Sequence, residues 1–178
     1  MAVFNNVLLI PTGDVETEVL EYVRLGLSDV FKCPVEVEMS EPSPGYAYDV
    51  ERKQHRSAMI IERLGGTVPA HSAGLSIVEV DLYAPGLTFV FGEAEVSGKA
   101  AVISVSRLRP SFYGLPSDNT ITCKRALKEA VHELGHVAGL RHCQEPDCVM
   151  VFSRDVAASD DKGWRFCSSC LKTIQPDR

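Results

Sequence analysis

The sequence has little of what nucleic-acid binders, membrane proteins and disulfide-built secreted domains depend on. Acidic residues outnumber basic ones by 24 to 18, and the net charge of −6 leaves no evident basic face to offset phosphate, so no nucleic-acid partner is expected. The first apolar run, Val7-Leu8-Leu9-Ile10, is short, ends at Pro11 and has no Lys or Arg before it. Neither a secretory signal nor a membrane span is expected there. There is no internal repeat and no low-complexity stretch. In a cytoplasmic protein the six cysteines are expected as thiols or metal ligands, not as disulfides. With 178 residues, 45% of them hydrophobic and 24% charged, the chain can bury a core without covalent staples. One domain and a monomeric state are expected.

Local patterns alternate between strand and helix. Val3 to Ile10 reads as a buried strand, with Pro11-Thr12-Gly13 as a turn. Asp14 to Phe31 carries Val15, Val19, Tyr22, Val23, Leu27 and Val30 at helical spacing. Val35, Val37 and Met39 alternate with Glu36 and Glu38, a strand with one wet face. These elements form a β-α-β unit with parallel strands. A second helix is expected from Asp49 to Leu64, stopped by Gly65-Gly66. Strands follow at Ser76 to Tyr83, Leu87 to Glu95 and Ala100 to Ser106, the last two joined by an antiparallel hairpin at Ser97-Gly98. The fold class is therefore α/β: a mixed, mostly parallel sheet packed by helices.

The most informative stretch is Ala126 to Cys143. Within it, His132-Glu133-x-x-His136-x-x-Gly139-x-x-His142 has the spacing of a three-histidine zinc site. On a helix, residues four apart share a face with Cβ atoms about 5–6 Å apart, so His132 and His136 can close on one metal. Glu133 then projects beside the metal, placed to take a proton from the attacking water. Gly139 can adopt the left-handed conformation that stops a helix, and the turn returns His142 as third ligand. An open fourth position marks a catalytic site. Leu127, Val131, Leu134 and Ala138 form the buried stripe, Thr120 is the expected N-cap, and Lys124, Arg125 and Lys128 belong on or near the outer face. His55 and His71 are isolated and are expected as surface histidines, and Cys33 and Cys123 as small buried thiols.

Cys143-x4-Cys148 and Cys167-x-x-Cys170 follow, a pattern that suits a structural zinc site of four cysteines. Two disulfides, or a redox-active pair at Cys167 and Cys170, are the alternatives. His142 and Cys143 are adjacent, so one backbone segment would serve both metals, and the four-cysteine zinc would rigidify the segment that presents the third histidine.

HELGHVAGLRH, continued by Cys143-x4-Cys148-x-Met150 and Cys167-x-x-Cys170, resembles the archaemetzincins, a metzincin-type zinc metalloprotease family. VEVDLY, FVFGEAE and SVSRL share the likeness less specifically. The resemblance implies a twisted mixed sheet with an antiparallel edge strand. It implies a single catalytic domain over residues 1–178, in which 143–178 is a C-terminal segment stapled by the four-cysteine zinc. It implies Zn²⁺ at two sites: catalytic at His132, His136 and His142, and structural at Cys143, Cys148, Cys167 and Cys170. Glu133 would be the general base and Met150 the Met-turn beneath the metal. Leu87 to Glu95 is the candidate edge strand for aligning an extended peptide. Most metzincins carry a pro-segment that blocks the zinc, and none is expected before the first strand here, so restraint by substrate choice, a narrow cleft or metal supply is expected. The leading function is a zinc-dependent metallopeptidase, either an aminopeptidase or an endopeptidase of narrow specificity, acting on a peptide or protein substrate. Glu93 or Glu95 could hold a free amine, and Tyr113 or Arg141 could assist the oxyanion. The alternatives are a non-catalytic zinc module that binds protein partners and a zinc hydrolase of non-peptide amides.

Overall fold

Residues 3–175 are described in the computed structural model. Strand β1 (Val7–Thr12), helix α1 (Thr17–Phe31) and strand β2 (Val35–Val37) form the expected β-α-β unit, with Val7 opposite Val35 in parallel register. The first strand begins later than its apolar pattern suggests and runs on through Pro11 and Thr12, the residues expected to turn. Pro11 lies past the last β1–β2 pair, at Leu9 and Val37, so its missing N–H interrupts no ladder on that side. Its carbonyl accepts from Glu41 N at 2.9 Å.

The expected second helix is shorter. Strands β3 (Tyr48–Asp49) and β4 (Gln54–Arg56) precede α2 (Ser57–Gly65). Asp49 Oδ1 accepts from the backbone N–H groups of Glu51 and Arg52, and Lys53 takes φ 55°, so a turn replaces the first helical turns. The Ser76 to Tyr83 signal divides into β5 (Ala73–Val78), fully buried, and β6 (Leu82–Tyr83), which joins β3 and β4 in a separate small sheet. The expected Leu87 to Glu95 strand contracts to β7 (Gly92–Ala94), linked by the predicted antiparallel hairpin to β8 (Ala100–Ser104).

The main sheet has the order β2-β1-β5-β8-β7, parallel except for β7 at the edge. Helices α1 and α3 (Asn119–Val137) cover one face, where Val19, Val23 and Leu27 meet Leu127, Val131 and Leu134 in the largest core. Helix α2 covers the other face through Ile60 and Leu64. Each such side chain stabilises the fold by about 1.5–3 kcal/mol through burial. Two short helices, α4 (Val156–Asp161) and α5 (Ser168–Ile174), close the described chain, so the last residues of the expected 143–178 segment, 176–178, lie outside the described residues. Among the described residues no helix is long and apolar enough to cross a membrane.

Candidate active site

Helix α3 brings the first part of the site together. Its N-cap is Asp118, two residues earlier than the expected Thr120, with Oδ1 accepting from Ile121 N at 3.0 Å. Arg125, expected near the outer face, is instead buried, because Asp160 and the carbonyl of Leu108 take its donors. The helix ends at Val137, and Gly139 follows at φ +95°, the left-handed turn read from the motif. Beyond it His142 comes back against His132 and His136, and the three imidazoles place ligand nitrogens within 4.8 Å of one another.

The Nε2 atoms of His132 and His136 are 3.2 Å apart. Two nitrogens bound tetrahedrally to one zinc at 2.0–2.1 Å would stand about 3.3 Å apart, so the pair has the spacing of a zinc chelate. His132 Nδ1 donates to the carbonyl of Val149 and His136 Nδ1 to that of Leu140, each at 2.8 Å, which leaves both Nε2 lone pairs facing inward. Burial holds all three imidazoles below the ordinary value of 6.5, His132 furthest, with the ammonium of Lys162 adding to it there. They are thus neutral ligands near pH 7.

Glu133 lies next to them, buried, and no hydrogen bond from the described residues stabilises its charge. Burial first, then the carboxylate of Glu129 and that of Glu93, push its pKa well above the usual carboxylate range, while Lys162 opposes them. Strand β7 passes so close that a Cβ on Gly92 would sit 2.8 Å from Glu133 Cγ. Met150 is fully buried and presses its sulfur on the opposite side of α3, where a Cβ on Gly135 would come within 2.5 Å of Sδ.

A cleft of about 590 Å³ opens over these residues. Its rim is the Leu87–Ala94 stretch on one side and Phe152 on the other, with the Phe152 ring 5.1 Å from that of His142. Residues that the motifs did not reveal fix the rim. Arg52 donates to the carbonyls of Leu87 (2.8 Å) and Thr88 (3.1 Å), and Gln54 donates to Thr88 O at 3.0 Å. Only their placement on β4 and its preceding turn, invisible in the pattern, would have pointed to them. Glu93 accepts from Ser57 of α2, and Glu95 accepts from Lys99 N at 3.1 Å, so each carboxylate already has a donor. Tyr113 donates to Arg107 O, Arg141 is exposed, and neither lines the cleft. His55 sits on β4 and His71 in a loop, apart from the histidine group. Cys33 and Cys123 are buried thiols, as expected.

The four remaining cysteines converge. Cys143 and Cys167 sulfurs are 3.8 Å apart, as are those of Cys148 and Cys170. A disulfide requires about 2.05 Å, whereas two thiolates at 2.3 Å on a tetrahedral zinc stand about 3.8 Å apart. The backbone N–H of Cys170 donates to Cys167 Sγ and draws that thiol down to about 7. Between the two groups runs one short segment: Cys143 N donates to Met150 O, and Val149, whose carbonyl holds His132, follows Cys148.

Residues 67–176 match the sequence model of Peptidase family M54. Over 98% of this chain and 96% of that protein, the sequence is 43% identical to the archaemetzincin of Methanocaldococcus jannaschii. The chain belongs to the archaemetzincins, peptidase family M54. It is a metallopeptidase by family, with peptides or proteins as its class of substrate, and both donor groups suit zinc. The family resemblance extends to the whole architecture. The crystal structure of the archaemetzincin from Archaeoglobus fulgidus, complexed with malonate, superposes with a TM-score of 0.81 at 35% identity, covering 94% of this chain and 99% of that one. A zinc-dependent peptidase from Methanocorpusculum labreanum superposes with a TM-score of 0.83 at 28% identity, covering 95% of this chain and all of that one.

Proposed function

We propose that this archaemetzincin is a zinc peptidase in which His132, His136 and His142 hold the catalytic zinc and Glu133 is the general base. The observation that carries this reading is the pair of inward-facing Nε2 atoms 3.2 Å apart with a buried carboxylate on the adjacent residue. Zinc bound there supplies a Lewis acid that activates water and polarises the scissile carbonyl. Glu133 takes the proton from the attacking water and delivers it to the leaving amine. The free edge of β7, in line with Glu133, aligns the substrate backbone in extended form. Phe152 and Leu87 offer apolar surface to its side chains.

The second zinc belongs to Cys143, Cys148, Cys167 and Cys170, with a structural role. Met150 forms the turn beneath the catalytic centre. One catalytic domain with a zinc-stapled segment from residue 143 onward accounts for the continuous core, which includes Cys148, Met150 and Phe166. Six cysteines with no disulfide among the described residues, two as thiols and four as metal ligands, support a reducing, cytoplasmic setting.

The test is a mass-spectrometric screen of a mixed peptide library with wild type and Glu133→Gln in added zinc. Cuts made by the wild type alone are expected, with zinc content equal in both proteins. Their positions separate trimming of amino termini from internal cleavage. Equal cutting by the two proteins would overturn the role of Glu133, and no cutting by either would favour a zinc module that binds protein partners.

A further inference from the structure

One ion pair beneath the histidines has no part in the mechanism above. Lys162, the residue after α4, is only 3% exposed, as is Glu129 on α3. Its ammonium lies 3.3 Å from Glu129 Oε1, 3.3 Å from the carbonyl of Val151 and 3.4 Å from His132 Nδ1. The last is no hydrogen bond once Nδ1 has given its proton to Val149 O, so the cation sits beside a ring N–H. Ser159 Oγ donates to the same Glu129 oxygen at 2.9 Å. Glu129 precedes His132 by three residues and Glu133 by four, which puts all three on one face of α3, and it lines the cleft. Carboxylates are good zinc ligands. A buried ion pair is no more stabilising than apolar residues of the same volume, so stability does not explain this one.

We propose that Lys162, assisted by Ser159, is a positioning residue that holds the Glu129 carboxylate off the histidine metal centre and neutralises it. The centre's fourth position is thereby left to water and substrate, and Glu133 is the carboxylate on the α3 side of the cleft that has no ion-pair partner in contact among the described residues. The inference rests on the proposed zinc centre.

The test measures the zinc affinity of the histidine site in the full chain with its four-cysteine site loaded, by competition with a chelating dye, for wild type, Lys162→Met, Glu129→Gln and the double variant. Removing the buried cation frees Glu129 to attract and ligate the metal, so Lys162→Met should bind the histidine-site zinc about tenfold more tightly while kcat falls. Glu129→Gln leaves an unpaired cation beside the site and should bind about tenfold more weakly. The double variant should return to within about threefold of wild type in affinity and regain kcat. A merely structural pair would weaken zinc binding in both single variants, each of which leaves one buried charge unpaired, and would also recover in the double variant, so the sign of the change in Lys162→Met is what separates the two. Equal or weaker binding in Lys162→Met, or a double variant that does not recover, overturns the proposal. Should Lys162→Met fail to fold, Lys162→Gln, which removes the charge and keeps a donor for Glu129, supplies the same sign: tighter zinc binding supports the proposal and equal or weaker binding overturns it. If wild type and His136→Ala bind the same amount of zinc, the zinc centre itself is refuted, a different failure from normal zinc binding without this pattern of signs.

Discussion

Gly92 offers the most direct way to move Glu133 without touching a metal ligand. A methyl group at this position would stand 2.8 Å from Glu133 Cγ, 2.9 Å from its Oε1 and 2.8 Å from the carbonyl oxygen of Val102. Carbon atoms in contact prefer about 3.5–4.0 Å, so Gly92→Ala lacks about 0.7–1.2 Å of room. Val102 is paired with Glu93 in the β7–β8 ladder, and its carbonyl cannot retreat without breaking the sheet edge. Strand β7 must therefore shift at Gly92, and the Glu133 side chain must give way with it. Misplacing a catalytic group by about 1 Å can cost about a hundredfold, or about 2.7 kcal/mol in the barrier. Overpacking costs about 1–3 kcal/mol of stability, and the lost glycine freedom of the unfolded chain returns about 0.4–1 kcal/mol. The net loss is about 1–2 kcal/mol, a drop of about 2–8 °C in Tm for a chain of this size, so the variant stays folded. Steady-state kinetics on a peptide found in the library screen, with zinc content and Tm measured in parallel, should show kcat reduced about 10- to 100-fold. KM should stay within about threefold and zinc should be retained. A variant that keeps zinc and turns over within about threefold of wild type would refute the reasoning that ties the close approach of β7 at Glu133 to catalysis.

Three further outcomes follow from the same geometry. Replacing Cys167 and Cys170 by serine should weaken zinc binding at the histidines, because Cys148 and Val149 are neighbours and the Val149 carbonyl holds His132; full zinc occupancy there would sink the coupling. Gly135→Ala should cost about 1–3 kcal/mol by driving a methyl into Met150 Sδ, and combining it with Met150→Ala should cost less than the sum of the two, with strict additivity as the contrary result. In the metal-free chain the depressed histidines bind protons more tightly when unfolded, so their stabilisation is complete above pH 6.5 and lost as pH falls through their folded values. Glu133 acts in the opposite sense: its raised pKa contributes stability below the ordinary 4.5 that is lost as pH rises through the raised value. Thermal melts in a chelator should show His132→Phe losing less Tm than wild type between about pH 7 and about pH 5; an equal change in the two proteins would contradict the assignment.

The motif residues were legible because chemistry fixes their spacing along the chain. His132, Glu133 and His136 need only a helix, and Gly139 needs only a left-handed turn to bring back His142. The four cysteines were legible as a cluster for the same reason, although disulfides are set aside only by sulfurs 3.8 Å apart. Elements were less readable where side chains compete with backbone. Asp49 reads as a helix residue by pattern, yet its carboxylate binds Glu51 N and Arg52 N and converts the first turns into a hairpin. Arg125 reads as outward-facing, yet Asp160, thirty-five residues on, draws it into the interior. Leu87 to Phe91 alternates like a strand, yet Arg52 and Gln54 take its carbonyls and make it the rim of the cleft.

Lys162 was out of reach of any local pattern, and the reason bears on how the site works. Its partner Glu129 is thirty-three residues away, and what brings them together is the loop and short helix between the last histidine and the second cysteine pair. Within that span the chain supplies His142, the carbonyl that orients His132, the sulfur of Met150 beneath α3, the hydroxyl of Ser159 and the ammonium of Lys162. Cys148 and Cys167 bracket nearly all of it. A metal held by the four cysteines therefore clamps both ends of the segment that completes the histidine centre, and a change that loosens the clamp reaches ligand geometry and counter-charge together. Loss of the cysteine site should then reduce kcat by more than the fall in zinc occupancy explains, because Lys162 would no longer be held against Glu129. Activity that simply tracks histidine-bound zinc across a titration of the Cys167→Ser/Cys170→Ser protein would show instead that the clamp serves the third ligand alone.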